Sequence, residues 1–154
     1  MSLQVAPDKT KAEQKDIHRV CFVCTGNTCR SPMAAALYNH IHQKDAATAT
    51  SAGIAAVPGE PIAENAVLAL RNFGITPTSK NDYEAHLATP LTEDMMSLCD
   101  TVYALSSRHY MAICLAFPEH IDKIRLLGEI ADPYGSDLDT YEQTLEQIKE
   151  ALHE

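Results

Sequence analysis

The sequence predicts a single-domain α/β fold, a doubly wound four-stranded parallel sheet with helices on both faces. Three observations carry this expectation. Short apolar runs alternate with helical repeats along residues 17–154, an order that builds strand–helix–strand units with right-handed crossovers. A chain of 154 residues is long enough to bury one core without disulfide or metal staples. No repeat, linker or low-complexity stretch divides it; residues 1–16, polar, mixed in charge and aperiodic, read as a flexible tail before the domain.

Each element has its own signal. His18 to Val23 is a nearly continuous apolar run and reads as a buried parallel strand. Met33, Leu37 and Ile41 recur every four residues and read as a helix, with Ser31 as its N-cap and Pro32 in its first turn. Ala49 to Ile54 forms a second strand containing Ser51, Ala52 and Gly53. Pro61 opens a second helix whose apolar face is Ile62, Ala66, Leu70 and Phe73, and Gly74 stops it. Thr92, Glu93 and Asp94 start a short helix through Leu98, with acids in the favoured first turn. Thr101 to Leu105 is a third strand, Ser107 to Phe117 a helix and Lys123 to Leu127 a fourth strand. The last helix spaces Leu138, Tyr141, Leu145, Ile148 and Leu152 by threes and fours, behind capping-box-like Ser136 and Asp139.

The loop from Cys24 to Ser31 carries the chemistry. A loop between a strand and a helix N-terminus aims backbone N–H groups into its concavity and favours an anion there. Gly26 and Asn27 tolerate the positive φ that a tight loop demands. Cys24 and Arg30, with five residues between them, place a nucleophile and a guanidinium clamp at that anion. Ligands in such sheets bind beyond the carboxyl ends of the strands, where strand order reverses. The segment after strand four ends on the same rim, which brings Asp132 within reach of Cys24.

Composition narrows the setting. A net charge of −9 argues against nucleic acid or an acidic membrane surface as a general partner. No segment has the length of a membrane span or the pattern of a signal peptide. Five cysteines with one in a reactive loop suit a reducing cytoplasm. Cys21 and Cys24 spell C-x-x-C, a pattern that also suits a redox pair or half a zinc site. Residues three apart on a strand face opposite ways, so Cys21 reads as buried core; Cys99 and Cys114 fall on helical apolar faces. His40 and His42, two apart on a helix, make a poor metal site. Neither metal nor cofactor is expected.

The string Cys24-x5-Arg30-Ser31-Pro32, with Asp132-Pro133-Tyr134-Gly135 a hundred residues on, resembles the low-molecular-weight protein-tyrosine phosphatases. More narrowly it resembles their bacterial protein-arginine phosphatase branch, over about residues 18–152. The resemblance implies a flavodoxin-like sheet order, catalysis through a phosphocysteine and phosphorylated proteins as substrates, in a monomer or weak dimer. It makes Cys24 the nucleophile, Arg30 the phosphoryl clamp and Asp132 the general acid and then base. Thr25, Gly26, Asn27, Thr28, Cys29, Ser31 and Tyr134 would line the phosphate and substrate site. Asn27 would prop the loop open with Ser51 and His86 in support, and Gly53 would let the strand end pack closely. Ser31 would donate to the sulfur, and Cys29 would trap an oxidised nucleophile as a disulfide.

Substrate choice turns on Thr28 and on a single aromatic, Tyr134, after the Asp-Pro. A phosphotyrosine ring wants apolar walls, whereas the N–H groups of phosphoarginine suit a threonine hydroxyl. Thr25 also matches the arginine branch. Tyrosine phosphatase is the alternative reading. An arsenate reductase needs a further close cysteine pair, and Cys99 and Cys114 stand too far apart in the chain. A non-catalytic phosphoprotein-binding module would need neither Cys24 nor Asp132.

Overall fold

A computed structural model describes residues 17–153; the expected tail at 1–16 lies outside them. Four parallel strands form the sheet, β1 His18–Cys24, β2 Ala47–Gly53, β3 Thr101–Ala104 and β4 Ile124–Leu126, in the order β2-β1-β3-β4. Five α-helices join and cover them: α1 Arg30–Ile41, α2 Glu64–Asn72, α3 Glu93–Leu98, α4 Ser107–Ala116 and α5 Leu138–Leu152. The predicted fold class and element order both hold.

Alternation along β1 divides the core. Val20, Phe22 and Cys24 face α1, α2 and α5, packing with Met33, Leu37, Leu70 and Leu145. Cys21 and Val23 face the other way, toward Met96 of α3 and Ile113 of α4. Cys21 is fully buried there, and the neighbouring Cys99 thiol together with burial pushes its own thiol well above the usual value. It is a core residue, as expected. Cys99 is also buried but follows α3 as its C-cap instead of lying on the helix face, and Cys114 is half-buried.

The chain runs β1–α1–β2 to one side, then crosses back to β3 on the other side of β1. That reversal sits at the carboxyl end of β1, where Cys24 pairs in register with Gly53 and Val23 with Ala104. The loop after β1 therefore occupies the crevice where α/β sheets hold ligands.

Several sequence-based boundaries move. Helix α1 begins at Arg30 with Cys29 before it and no side-chain cap, so Ser31 is not the N-cap. Its hydroxyl turns toward the sheet, where tertiary partners outbid the local capping bond. Residues Arg30 to Tyr38 are all buried, because Ala34, Ala35 and Ala36 let neighbours approach on every side; of the expected stripe Met33 and Leu37 are buried, while Ile41 at the helix end stays 38% exposed. Helix α2 starts at Glu64, while Pro61 makes an isolated bridge to Leu87 and Phe73 stays 38% exposed as the C-cap. The cap of α5 is Asp137, whose Oδ1 accepts from the Thr140 amide at 3.0 Å, and not the pair Ser136 and Asp139. Gly74, at φ +96, ends α2 as expected.

Candidate active site

The loop from Cys24 to Arg30 is shaped by what its carbonyls do. Cys24 O accepts from Ile54 N at 2.9 Å, Thr25 O from Ala55 N at 3.0 Å and Thr28 O from Ala63 N at 2.9 Å. Asn27 O accepts from His86 Nε2 at 2.8 Å. A planar trans peptide points its N–H opposite to its C=O. With these carbonyls tied outward, the amides of Thr25, Gly26, Thr28 and Cys29 turn toward the concavity, which is a cradle for an anion.

Asn27 holds that geometry. It alone among the described non-glycine residues has positive φ, at 60°; Gly26, expected to share that role, does not, and a Cβ there would meet only Thr28 Oγ1, at 3.9 Å. Every polar group of the Asn27 side chain is used. Nδ2 donates to Ser31 Oγ at 2.7 Å and to Ser51 Oγ at 3.0 Å, and Oδ1 accepts from the Thr89 amide at 2.9 Å. The residue is fully buried, so losing one partner would strand a desolvated dipole. Gly53 completes the fit, because a Cβ there would lie 2.4 Å from Thr25 O.

Ser31 Oγ lies 2.9 Å from Cys24 Sγ. Its oxygen already accepts from Asn27, which leaves the hydroxyl proton for the sulfur. Arg30 is 8% exposed and donates from NH1 to Ile130 O at 3.2 Å, while NH2 lies 3.6 Å from Asp132 Oδ2. Thus the backbone after β4 and the loop after β1 grip the same guanidinium. The Asp132 side chain is 54% exposed and Tyr134 is 76% exposed, both on the cleft wall. Cys29 is buried with Sγ 3.2 Å from Tyr141 OH, and burial raises its thiol above the ordinary value. Burial likewise lowers His86, a neutral ring that donates to the loop through Nε2.

The cleft has a volume of about 260 Å³ and is walled by Cys24 to Arg30 with Glu60, Asp132 and Tyr134. A larger cavity of about 620 Å³ lies by Ile17, Ala47 and Thr76, at the opposite end of the sheet, and contains none of these groups. Every residue singled out from the sequence for the site falls at this cleft or in the hydrogen-bonded shell behind it. No cluster of three or more potential metal ligands occurs among the described residues.

Two residues were missed from the sequence. Glu60 carries no local signal, being one acid in a loop. His109 sits on α4, 84 residues from Thr25 in the chain, yet its Nε2 is 2.8 Å from Thr25 Oγ1 and its Nδ1 is 2.8 Å from Ser106 Oγ. Burial, then Arg30 and Arg108, lower its pKa to about 4. The only trace in the sequence was its place three residues after a capping serine.

A family profile described as Low molecular weight phosphotyrosine protein phosphatase matches residues 19–154. A protein-arginine-phosphatase of Bacillus subtilis is 35% identical over 145 residues, covering 88% of this chain and 92% of the relative. A low molecular weight protein tyrosine phosphatase from T. tengcongensis superposes with a TM-score of 0.81 at 35% identity, over 88% of this chain and 95% of that one. The YwlE arginine phosphatase, solved as a cysteine-to-serine mutant with a phosphorylated active-site serine, superposes with a TM-score of 0.79 at 35% identity, covering 87% of this chain and 90% of that one. This chain belongs to the low molecular weight phosphotyrosine protein phosphatase family.

Proposed function

We propose that the protein is a cysteine-dependent protein phosphatase whose preferred substrate is phosphoarginine in proteins. The convergence of Cys24, Arg30 and Asp132 on one cleft walled by Thr28 carries the reading. The Cys24 sulfur attacks phosphorus in line with the leaving nitrogen. The P–N bond breaks as the Asp132 carboxyl gives that nitrogen a proton. Arg30 and the loop amides hold the phosphoryl oxygens throughout, and the Ser31 hydroxyl donates to the sulfur. Asp132, now a carboxylate, takes a proton from water whose oxygen attacks phosphorus. The S–P bond breaks, phosphate leaves and the thiolate is restored.

Thr28 favours the arginine substrate because its hydroxyl can accept from guanidinium N–H groups. Glu60 on the same wall adds a negative charge where a cationic guanidinium must pass. Tyr134, exposed at the cleft wall, supports the alternative, a phosphotyrosine ring packed on its face. Cys29, kept protonated by burial, is the thiol that would close a disulfide on an oxidised Cys24. We place the protein in a reducing compartment, as a monomer or weak dimer; no helix among the described residues is long and apolar enough to cross a membrane.

The test compares kcat/KM on phosphoarginine and phosphotyrosine peptides for the wild type and Thr28→Ile. Losing one hydrogen bond in the cleft should lower the arginine value roughly 5- to 150-fold. The aryl value should hold or rise. A wild type that prefers phosphotyrosine, or a variant in which both values fall together, would overturn the substrate assignment.

A further inference from the structure

We infer that His109 is a positioning residue that aims the Thr25 hydroxyl at the phosphoryl group, which makes the start of α4 a working part of the site. The inference rests on the reading of this cleft as the phosphoryl site. Its basis is a chain of three side chains. Ser106 Oγ, the N-cap of α4, accepts from the His109 backbone amide at 3.2 Å. The same oxygen lies 2.8 Å from His109 Nδ1. His109 Nε2 lies 2.8 Å from Thr25 Oγ1, beside the nucleophile on the cleft wall.

Counting partners points the chain in one direction. The Ser106 oxygen already accepts one N–H, and Nδ1 is the only acceptor within reach of its hydroxyl proton among the described contacts. Ser106 therefore donates to Nδ1, which leaves the proton of the neutral ring on Nε2. Nε2–H then donates to Thr25 Oγ1. With its lone pair engaged, the Thr25 hydroxyl has its proton to give, and it gives it into the cleft, where a phosphoryl oxygen sits. The reverse tautomer would turn Thr25 into a donor to the ring and leave the Ser106 proton with no acceptor on the protein among the described contacts.

The ring is held to this task. His109 is 1% exposed, and Arg30 and Arg108 near it disfavour a second proton. The start of α4 also ties the opposite wall, since Glu129 Oε1 accepts from the Ser107 amide at 2.6 Å, next to the Ile130 carbonyl that holds Arg30. One helix start thus steadies both the loop after β1 and the segment that carries the acid.

Asparagine and glutamine separate positioning from packing at this site. In His109→Asn the amide can reach Ser106, as Nδ1 does, but falls short of Thr25. In His109→Gln the amide N–H can reach Thr25, as Nε2 does. Steady-state kinetics on phosphoarginine peptide and on an aryl phosphate would be measured for both, for Thr25→Val and for the Thr25→Val/His109→Asn double variant, with thermal melts alongside. Thr25→Val and His109→Asn should each lose roughly 10- to 100-fold in kcat/KM on both substrates, the range for one hydrogen bond to a charged group. The double variant should fall no more than about 3-fold below Thr25→Val, because the two residues act as one unit. His109→Gln should recover most of the loss, and the wild-type imidazole 15N shifts should report a neutral Nε2–H ring. Additive losses, equal kinetics for Asn and Gln, or an Nδ1–H ring would overturn the inference while leaving the cleft assignment intact. A wild type that hydrolyses neither substrate would overturn both.

Discussion

The two walls of the cleft are built in opposite ways. On one side the loop after β1 is tied through four of its carbonyls and through Asn27, which is fully buried and whose side-chain amide alone makes three hydrogen bonds. On the other side Asp132 has a half-exposed side chain, one local bond from the Tyr134 amide at 3.1 Å and a 3.6 Å approach to Arg30. Tyr134 beside it is 76% exposed. The contrast follows the chemistry. A phosphoryl group has the same oxygens in every substrate, so donors fixed before binding stabilise its charge without reorganising. The leaving group and its protein context differ between substrates, and in the proposed mechanism the acid that serves them must stay in contact with solvent to deliver and collect protons.

Substitutions should sort by wall. Cys24→Ser on the tied wall should remove measurable turnover while the fold survives, because a hydroxyl is a far weaker nucleophile at neutral pH. Intact-mass trapping of the wild type should place the phosphate on Cys24; finding it on a histidine would end the mechanism. Across the cleft, Asp132→Ala should lower turnover by roughly 10²–10⁴-fold, more for poor leaving groups than for activated aryl phosphates. An equal loss across leaving groups would make Asp132 a structural residue.

The contrast sharpens in stability measurements. Asn27→Ala should cost about 1–3 kcal/mol in urea unfolding, since it strands the buried Ser51 hydroxyl and the Thr89 amide and removes a residue that accepts positive φ. Activity should fall with it as the cradle loosens. Tyr134→Ala, on the open wall, should change stability by less than about 0.5 kcal/mol and show itself only in KM. If Tyr134→Ala proves the more destabilising of the two, the tied and open walls have been wrongly distinguished.

Much of this was legible because it is local or topological. The run from His18 to Val23 and the repeat from Met33 mark a strand and a helix by periodicity alone, and their junction is a phosphate loop by geometry. Asp132 could be placed opposite Cys24 through the rule that parallel strands end on one rim, and its expected role came from the family resemblance. Ser31 shows where local reasoning fails. As a residue before proline at a helix start it reads as a cap, yet Asn27 Nδ2 and Cys24 Sγ claim its hydroxyl.

By itself, then, the sequence determined the strand order's raw material, the position of the Cys24-to-Arg30 loop at the end of β1, and the class of chemistry, since each depends on residues near one another in the chain or on a handedness that chain direction imposes. Tertiary structure alone decided that Asn27 would take the left-handed conformation while Gly26 would not, and that Glu60 would wall the cleft. It also decided that His109, 84 residues from Thr25 in the chain, would meet the Thr25 hydroxyl. Hydrogen-bond partners for buried polar groups are chosen by whichever groups the packed core brings within about 3 Å, and no spacing along the chain records that distance.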